Sequence, residues 1–284
     1  MAVNADAQTL DGTAIEAVVR ASSLSQYPDC PRRWAARHLR GDVEAAGHTV
    51  RALPSSVGAL VGSGTHAAVA HDLTHKMEHG DFGPWDEVEQ RGIQEFDDRL
   101  GDEGVQWDQV TPTVSDGHQT VARLARTYRA QIGAILTPIS VERRLTARHS
   151  TGITVSGQSD VTVIAPADLD DLKTGKNQTA NQAQYGCYSM LQRSHGQPIT
   201  GIVEDFARRV PLGKPQPPIT RTRYDLSACE RQAEVILQRL ARDITEFRRT
   251  GNREVWLANP NSVLCGEKYC PAHGTNWCPY GRSR

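Results

Sequence analysis

No apolar run in this chain approaches the roughly 18 residues of a membrane span, and the mean hydropathy is −0.50, so no membrane partner is expected. Aromatics are scarce at 6%, and hydrophobic residues reach 38%, enough for a packed core but not a rich one. Neither charge sign dominates: 32 Lys and Arg stand against 33 Asp and Glu, for a net charge of −1. That excludes a uniformly basic coat, so any polyanionic partner must be met by local patches. The opening MAVNADAQTLDG has neither a basic start nor an apolar stretch, which points to a cytoplasmic location. In that compartment six cysteines speak for metal binding or redox chemistry rather than a disulfide scaffold. A length of 284 residues allows one large domain or two small ones.

Residues 1–20 are small and polar and are expected as a flexible arm. From 22 to 39 the pattern is a turn, with Ser25 as its cap, and then a helix with Pro31 near its start. A second helix is expected over 57–77, weakened by Gly62 and Gly64, with Met77 in its apolar stripe. Loops at 80–86 and 101–117 flank a short helix, and 118–136 reads as an amphipathic helix. Three strands then follow at 139–146, 153–164 and 169–173, with a helix at 179–193 and strands at 199–210 and 220–224. A long helix spans 227–249, with Val235, Ile236, Leu240, Ile244 and Phe247 inward. Beyond Gly251 the chain is irregular, and such a tail seldom folds without a metal, a disulfide or docking onto the main body. The order predicts an α/β fold with a mixed sheet flanked by helices.

The most informative stretch is Ser156-Gly-Gln-Ser-Asp160, followed after a turn by Asp171-Leu-Lys173-Thr-Gly175. Side chains alternate along a strand, so Asp171 and Lys173 share a face. An antiparallel meander brings Asp160 beside Asp171. Two carboxylates converging at a sheet edge form a hard-oxygen site suited to Mg2+ or Mn2+. Beside such an ion a lysine can orient a water whose pKa the metal lowers. Glu142, on the strand before, either joins this acidic group or pairs with Arg144.

The string GQSD…DLKTGK, the helix bearing Gln184 and Tyr188 four residues apart, and the upstream Gly62-Ser-Gly-Thr-His66 together resemble the RecB-like branch of the PD-(D/E)XK nucleases. That resemblance implies a restriction-endonuclease-like core and metal-dependent cleavage of DNA ends or single strands, with an exonuclease favoured over an endonuclease. By position it implies that Asp160, Asp171, the backbone carbonyl of Leu172 and His66 hold Mg2+ or Mn2+. Lys173 would activate the water, and Gln184 and Tyr188 would position the nucleic acid and the lysine. It further implies a bacterial or phage-infected host cell, a role in phage recombination, repair or CRISPR adaptation, and a helicase or recombination partner. Oligomeric state is not implied.

Cys265, Cys270 and Cys278 lie in the tail and Cys30 lies far upstream in a Y-P-D-C-P-R-R-W run. One N-terminal cysteine with a C-terminal trio is similar to the iron–sulfur group of these nucleases, which includes AddB-type helicase-nucleases and those of CRISPR adaptation. The resemblance implies a [4Fe–4S] cluster tying the chain ends together. The trio's spacing departs from the usual C-x-x-C, and zinc on four thiolates, with His273 as a substitute ligand, stays open. Cys187 and Cys229 read as small buried residues.

Affinity for nucleic acid must come from clusters: Arg32, Arg33, Arg37 and Arg40; Arg143, Arg144 and Arg148; and Arg208, Arg209, Lys214, Arg221 and Arg223. Trp34 and Trp256 are candidates for base stacking. The layout expected is a single nuclease domain over 21–284, with a helical region at 58–136, a catalytic core at 137–210 and a cluster-binding tail at 251–284. The alternatives are a non-catalytic DNA-end-binding module with a structural Fe–S or zinc site, and a zinc-stabilised interaction protein.

Overall fold

The computed structural model describes residues 17–101, 104–164 and 167–281. Strand β1 (Val18–Arg20) leads into a 3-10 turn (Ala21–Gln26) and helices α1 (Pro31–His38) and α2 (Arg40–Ala45). Then come β2 (Ser55–Ser56), α3 (Val57–His79), α4 (Trp85–Asp98), β3 (Val105–Gln106) and α5 (Val114–Tyr128), which ends in a π-helical turn (Arg129–Gly133). The second half is β4 (Pro138–Arg148), β5 (Thr154–Val163), β6 (Asp168–Gly175), α6 (Gln182–Ser194), β7 (Gly201–Arg208), β8 (Thr220–Tyr224) and α7 (Leu226–Thr250).

Several of these depart from the expectations. Of the expected arm, residues 1–16 lie outside the described residues, and 18–20 form a strand instead. Ser25 lies inside the 3-10 turn, and the side chain that caps a helix here is Cys30, whose Sγ accepts from the Arg33 amide at 3.4 Å. Helix α5 starts at 114 rather than 118 because Thr113 caps its first turn, its Oγ1 accepting from the Asp116 amide at 3.1 Å. Helix α3 runs unbroken through its glycines. A Cβ on Gly64 would come within 2.7 Å of the Gly92 carbonyl, so this glycine is what lets α3 and α4 touch. Met77 and Val235, expected inward, are 39% and 47% exposed, and Leu237 takes the buried place on α7.

Six strands form the main sheet, in the order β1-β5-β6-β7-β8, with β4 also paired to β5. Helices α3, α4 and α5 cover one face through a core that includes Leu60, Phe96, Leu124 and Val161. On the other, α6 and α7 pack with α1 and the tail around Tyr185, Leu240, Trp34 and Trp277. Strand β5 organises the fold. One edge pairs with β4 along its length, antiparallel. The opposite edge is shared: β1 takes 154–156 in parallel, and β6 takes only Val161 and Thr162, antiparallel. Residues 157–160, between those partners, are left unpaired on that edge, and they carry the G-Q-S-D string.

The tail docks on α1. Arg32 is 2% exposed and donates to the carbonyls of Trp256 (2.9 Å) and Arg253 (3.0 Å), while its own carbonyl accepts from the Trp277 indole at 3.0 Å. Arg33, 3% exposed, pairs with Asp29 at 2.7 Å and bonds Ser262. These two arginines are therefore not a phosphate-binding surface. Arg32 satisfies carbonyls of a tail whose only regular structure among the described residues is short 3-10 turns at Arg253–Val255 and Pro279–Gly281. Trp34 and Trp256 are not free for stacking on bases either: both are buried, stacked on one another at 6.1 Å.

Candidate active site

The β5–β6 ladder ends at Val161 and Asp170, and the strands part beyond it. The Leu172 amide, which would have continued the ladder, instead donates to the Asp160 carboxylate at 2.7 Å. Strict alternation also fails here, because Ser159 and Thr162 both bond Gln192 of α6. The slip turns Asp160 towards α3, where its carboxylate lies 3.3 Å from His66 Nδ1. Glu142 of β4 reaches the same imidazole at 3.8 Å. His66, Glu142 and Asp160 form the one group of metal-ligand atoms within 4.8 Å of each other among the described residues.

Glu142 therefore joins the acidic group, and it also bonds Gln158, which in turn accepts from Arg144 at 2.9 Å. Its φ of +48° is the only positive value at a non-glycine residue among those described. Such a backbone costs about 1–3 kcal/mol and tends to persist where surroundings over-determine it.

Asp171 sits beside this trio but faces differently. It is 1% exposed, its Oδ2 lies 2.5 Å from Lys173 Nζ, and the Tyr185 hydroxyl is 3.3 Å away. Its Oδ1 is buried with no hydrogen-bond partner. Gln184 donates to the Tyr188 hydroxyl at 2.6 Å, and both are buried. The α6 side chain that reaches Asp171 is thus Tyr185, whose hydroxyl stands between Asp171 and Glu204. Tyr188 lies against Gly157 of β5, where a Cβ would come within 2.9 Å of its ring.

The charges explain each other. Burial works against a charge on His66, but Asp160 and Glu142 outweigh it and push the imidazole up to about 10. Burial likewise opposes ionised Asp160, yet His66, Lys173 and the Leu172 amide hold it below the usual carboxylate range. Asp171 is pushed up to about 6, by burial first, against the pull of Lys173. Lys173 is held above its ordinary value because Asp171 and Asp160 outweigh its burial. The carboxylates thus favour the charged forms of both His66 and Lys173.

A groove of about 830 Å³ opens beside His66, Glu142 and Lys173. Small α3 residues, among them Gly58, Gly62 and Ala70, line it together with Gln158, Lys173 and Arg91. Of the basic clusters, Arg143 bonds Gln197 and is half-buried, while Arg144 is exposed. Arg209 is buried on Asp108, Arg221 pairs with Asp170 and Asp205, and Arg223 with Asp168, which removes these three from a phosphate-binding patch. Arg37, Arg40, Arg208 and Lys214 are exposed.

The family model for the PD-(D/E)XK nuclease superfamily matches residues 20–279. The chain belongs to that superfamily. In fold it is similar to a crystal structure from Eubacterium rectale named "putative exonuclease", with a TM-score of 0.55 at 10% identity over 85% of this chain and 87% of that one. A second solved structure, SSO0001, matches at a TM-score of 0.27 and 10% identity over 70% of this chain and 82% of its own. No curated protein matches in sequence. The mixed sheet between two helical layers is the restriction-endonuclease-like arrangement expected of this superfamily.

Sequence reasoning passed over Glu204 and Tyr185. Glu204 pairs in register with Asp171 across the β6–β7 ladder and is fully buried. The signal was available: two adjacent acids, Glu204 and Asp205, interrupt an otherwise apolar strand. What they adjoin depends on a parallel pairing that local pattern does not encode.

Proposed function

We propose that this chain is a divalent-metal-dependent deoxyribonuclease, an exonuclease acting on DNA ends or single strands. The observation that carries the reading is the convergence of His66, Asp160, Asp171 and Lys173 where β5 parts from β6, beside an open groove. The residues fit a hard cation. The donors are carboxylate oxygens and an imidazole, and Asp171 keeps a buried oxygen with no other partner. Asp160, Asp171, His66 and the Leu172 carbonyl would hold Mg2+ or Mn2+, with Glu142 at hand. When bound, the ion lowers the pKa of a water and neutralises charge on the phosphate. Lys173, half-buried at the groove wall, orients that water and holds a positive charge against the reacting phosphate. Gln184 and Tyr188 brace β5 from beneath. Arg143 and Arg144, near the metal strands, contact the backbone of the strand being cut. The name of the Eubacterium rectale neighbour supports the exonuclease reading. Work on DNA ends suits recombination, repair or CRISPR adaptation, with a helicase or recombinase as the partner.

The four cysteines form a second centre in this reading. Cys30, Cys265, Cys270 and Cys278 line one small cavity with Arg33 and Ser262. Their sulfurs are not among the ligand groups drawn within 4.8 Å of one another. A single zinc at about 2.3 Å from each sulfur would draw four thiolates to under about 4 Å apart. A [4Fe–4S] cluster is the reading and zinc its competitor, and the metal content of the purified protein separates them.

Labelled single- and double-stranded DNA incubated with Mg2+ or Mn2+ tests the first reading. Wild-type protein is expected to cut, and Lys173→Ala to lose about 100-fold or more of that rate. Undiminished cleavage by Lys173→Ala would sink the mechanism.

A further inference from the structure

We propose that Glu204 is a positioning residue for Asp171, acting through the hydroxyl of Tyr185; this rests on the reading of Asp171 as a ligand of a divalent cation. Parallel pairing of β6 with β7 sets Asp171 opposite Glu204, on the same face of the sheet. Glu204 has no exposed surface. Its carboxylate accepts from the Gln178 amide at 2.7 Å, the Asn181 amide at 3.4 Å, and the hydroxyls of Tyr185 and Tyr224. None of these four partners carries a charge. No cation bonds this buried carboxylate among the described residues, and Lys173 acts on it only through its field.

Tyr185 shows what the arrangement does. Its hydroxyl has one proton to give and stands between two carboxylates. It makes a short bond to Glu204 and lies 3.3 Å from Asp171 Oδ2. Glu204 therefore takes the proton. Asp171 is left with Oδ2 towards Lys173 at 2.5 Å and with Oδ1 unpartnered. Oδ1 is thereby left free of any hydrogen bond. Without the charge on Glu204, the hydroxyl turns to Asp171 and ties up a ligand oxygen. The same carboxylate also fixes Gln178 and Asn181, in the turn that follows the D-L-K triplet.

Mn2+ binding to the full-length protein, followed by the paramagnetic signal of the free ion without any DNA, reads this directly. In Glu204→Gln one amide oxygen replaces two charged ones for four donors. Its dissociation constant for Mn2+ is expected to rise about tenfold, the lower end of what loss of a ligand's supporting partner produces. Tyr185→Phe removes the hydroxyl and is expected to stay within about threefold of wild type. The double variant Tyr185→Phe/Glu204→Gln is expected to return to the affinity of Tyr185→Phe, because no hydroxyl remains to be misdirected. Wild-type affinity in Glu204→Gln overturns the proposal. So does a double variant as weak as Glu204→Gln, which would mark a merely structural role. A wild-type chain that takes no Mn2+ overturns the metal reading itself.

Discussion

Burial disfavours a charged His66, but two carboxylates, Asp160 and Glu142, outweigh it and raise its pKa to about 10. A cation entering the site has to expel the imidazole proton. Between about pH 7 and 9, above Asp171 at about 6 and below His66 at about 10, binding should release one proton per ion. The dissociation constant for Mn2+ should then fall about tenfold per pH unit in that window, and His66→Asn should flatten the slope. Mn2+ titrations at three pH values check this. A slope that survives in His66→Asn would assign the proton to another group. For the metal-free protein the linkage has the opposite sense. A raised His66 adds stability that is complete below about 6.5 and lost as pH rises through about 10. At this scale Asp160, Asp171 and Lys173 were legible because their spacing fits a meander. The roles of Glu142 and Glu204 were not, because each depends on which strand lies beside which.

Among the elements, β5 carries the most consequence. Its second edge is divided between β1 and β6, and the G-Q-S-D string occupies the interval. Gly157 within that string faces α6, where an added Cβ would lie 2.8 Å from Leu191 and 2.9 Å from Tyr188. Gly157→Ala should therefore overpack this contact and cost about 1–3 kcal/mol, read as a lowered denaturant midpoint. An unchanged midpoint would show that α6 gives way freely. The loop before α5 is held differently. Burial opposes ionised Asp108, but Arg209, the Thr111 amide and Lys176 hold its carboxyl well below the usual range. That contribution to stability is present above about pH 3.8 and is lost as the pH falls further. Asp108→Asn should cost about 3 kcal/mol at neutral pH, because buried Arg209 loses its counter-charge, and the deficit should shrink on acidification. A deficit independent of pH would point to packing instead. Long periodic elements, such as α3, α5 and α7, were legible in the pattern. The short strands β1 to β3 were not, since two or three residues carry no period and form only where a partner edge waits.

Across the whole molecule, the two ends of the described chain meet. Arg32 is bound to Trp256 and Arg253, and Trp277 reaches back to Arg32, so α1 and the tail form one packed unit with Phe247 of α7. The four cysteines stand at the rim of that unit. In such a place a bound cluster is linked to folding, because the unfolded chain cannot assemble ligands from both of its ends. Burial pushes the Cys265 and Cys270 thiols up, so without a metal they stay protonated and contribute no bonding of their own. Protein purified without oxygen should therefore be brown, absorbing near about 400 nm. Cys30→Ala should lose most of that absorbance and melt at a lower temperature. Lys173→Ala, which lies in the groove and not among the thiols, should keep its colour while losing cleavage. That separation is the decisive comparison. A colourless wild-type protein containing one zinc would overturn the cluster and leave the nuclease reading standing. A brown Cys30→Ala protein of undiminished stability would mean that α1 and the tail are held by the tryptophans and Arg32 alone.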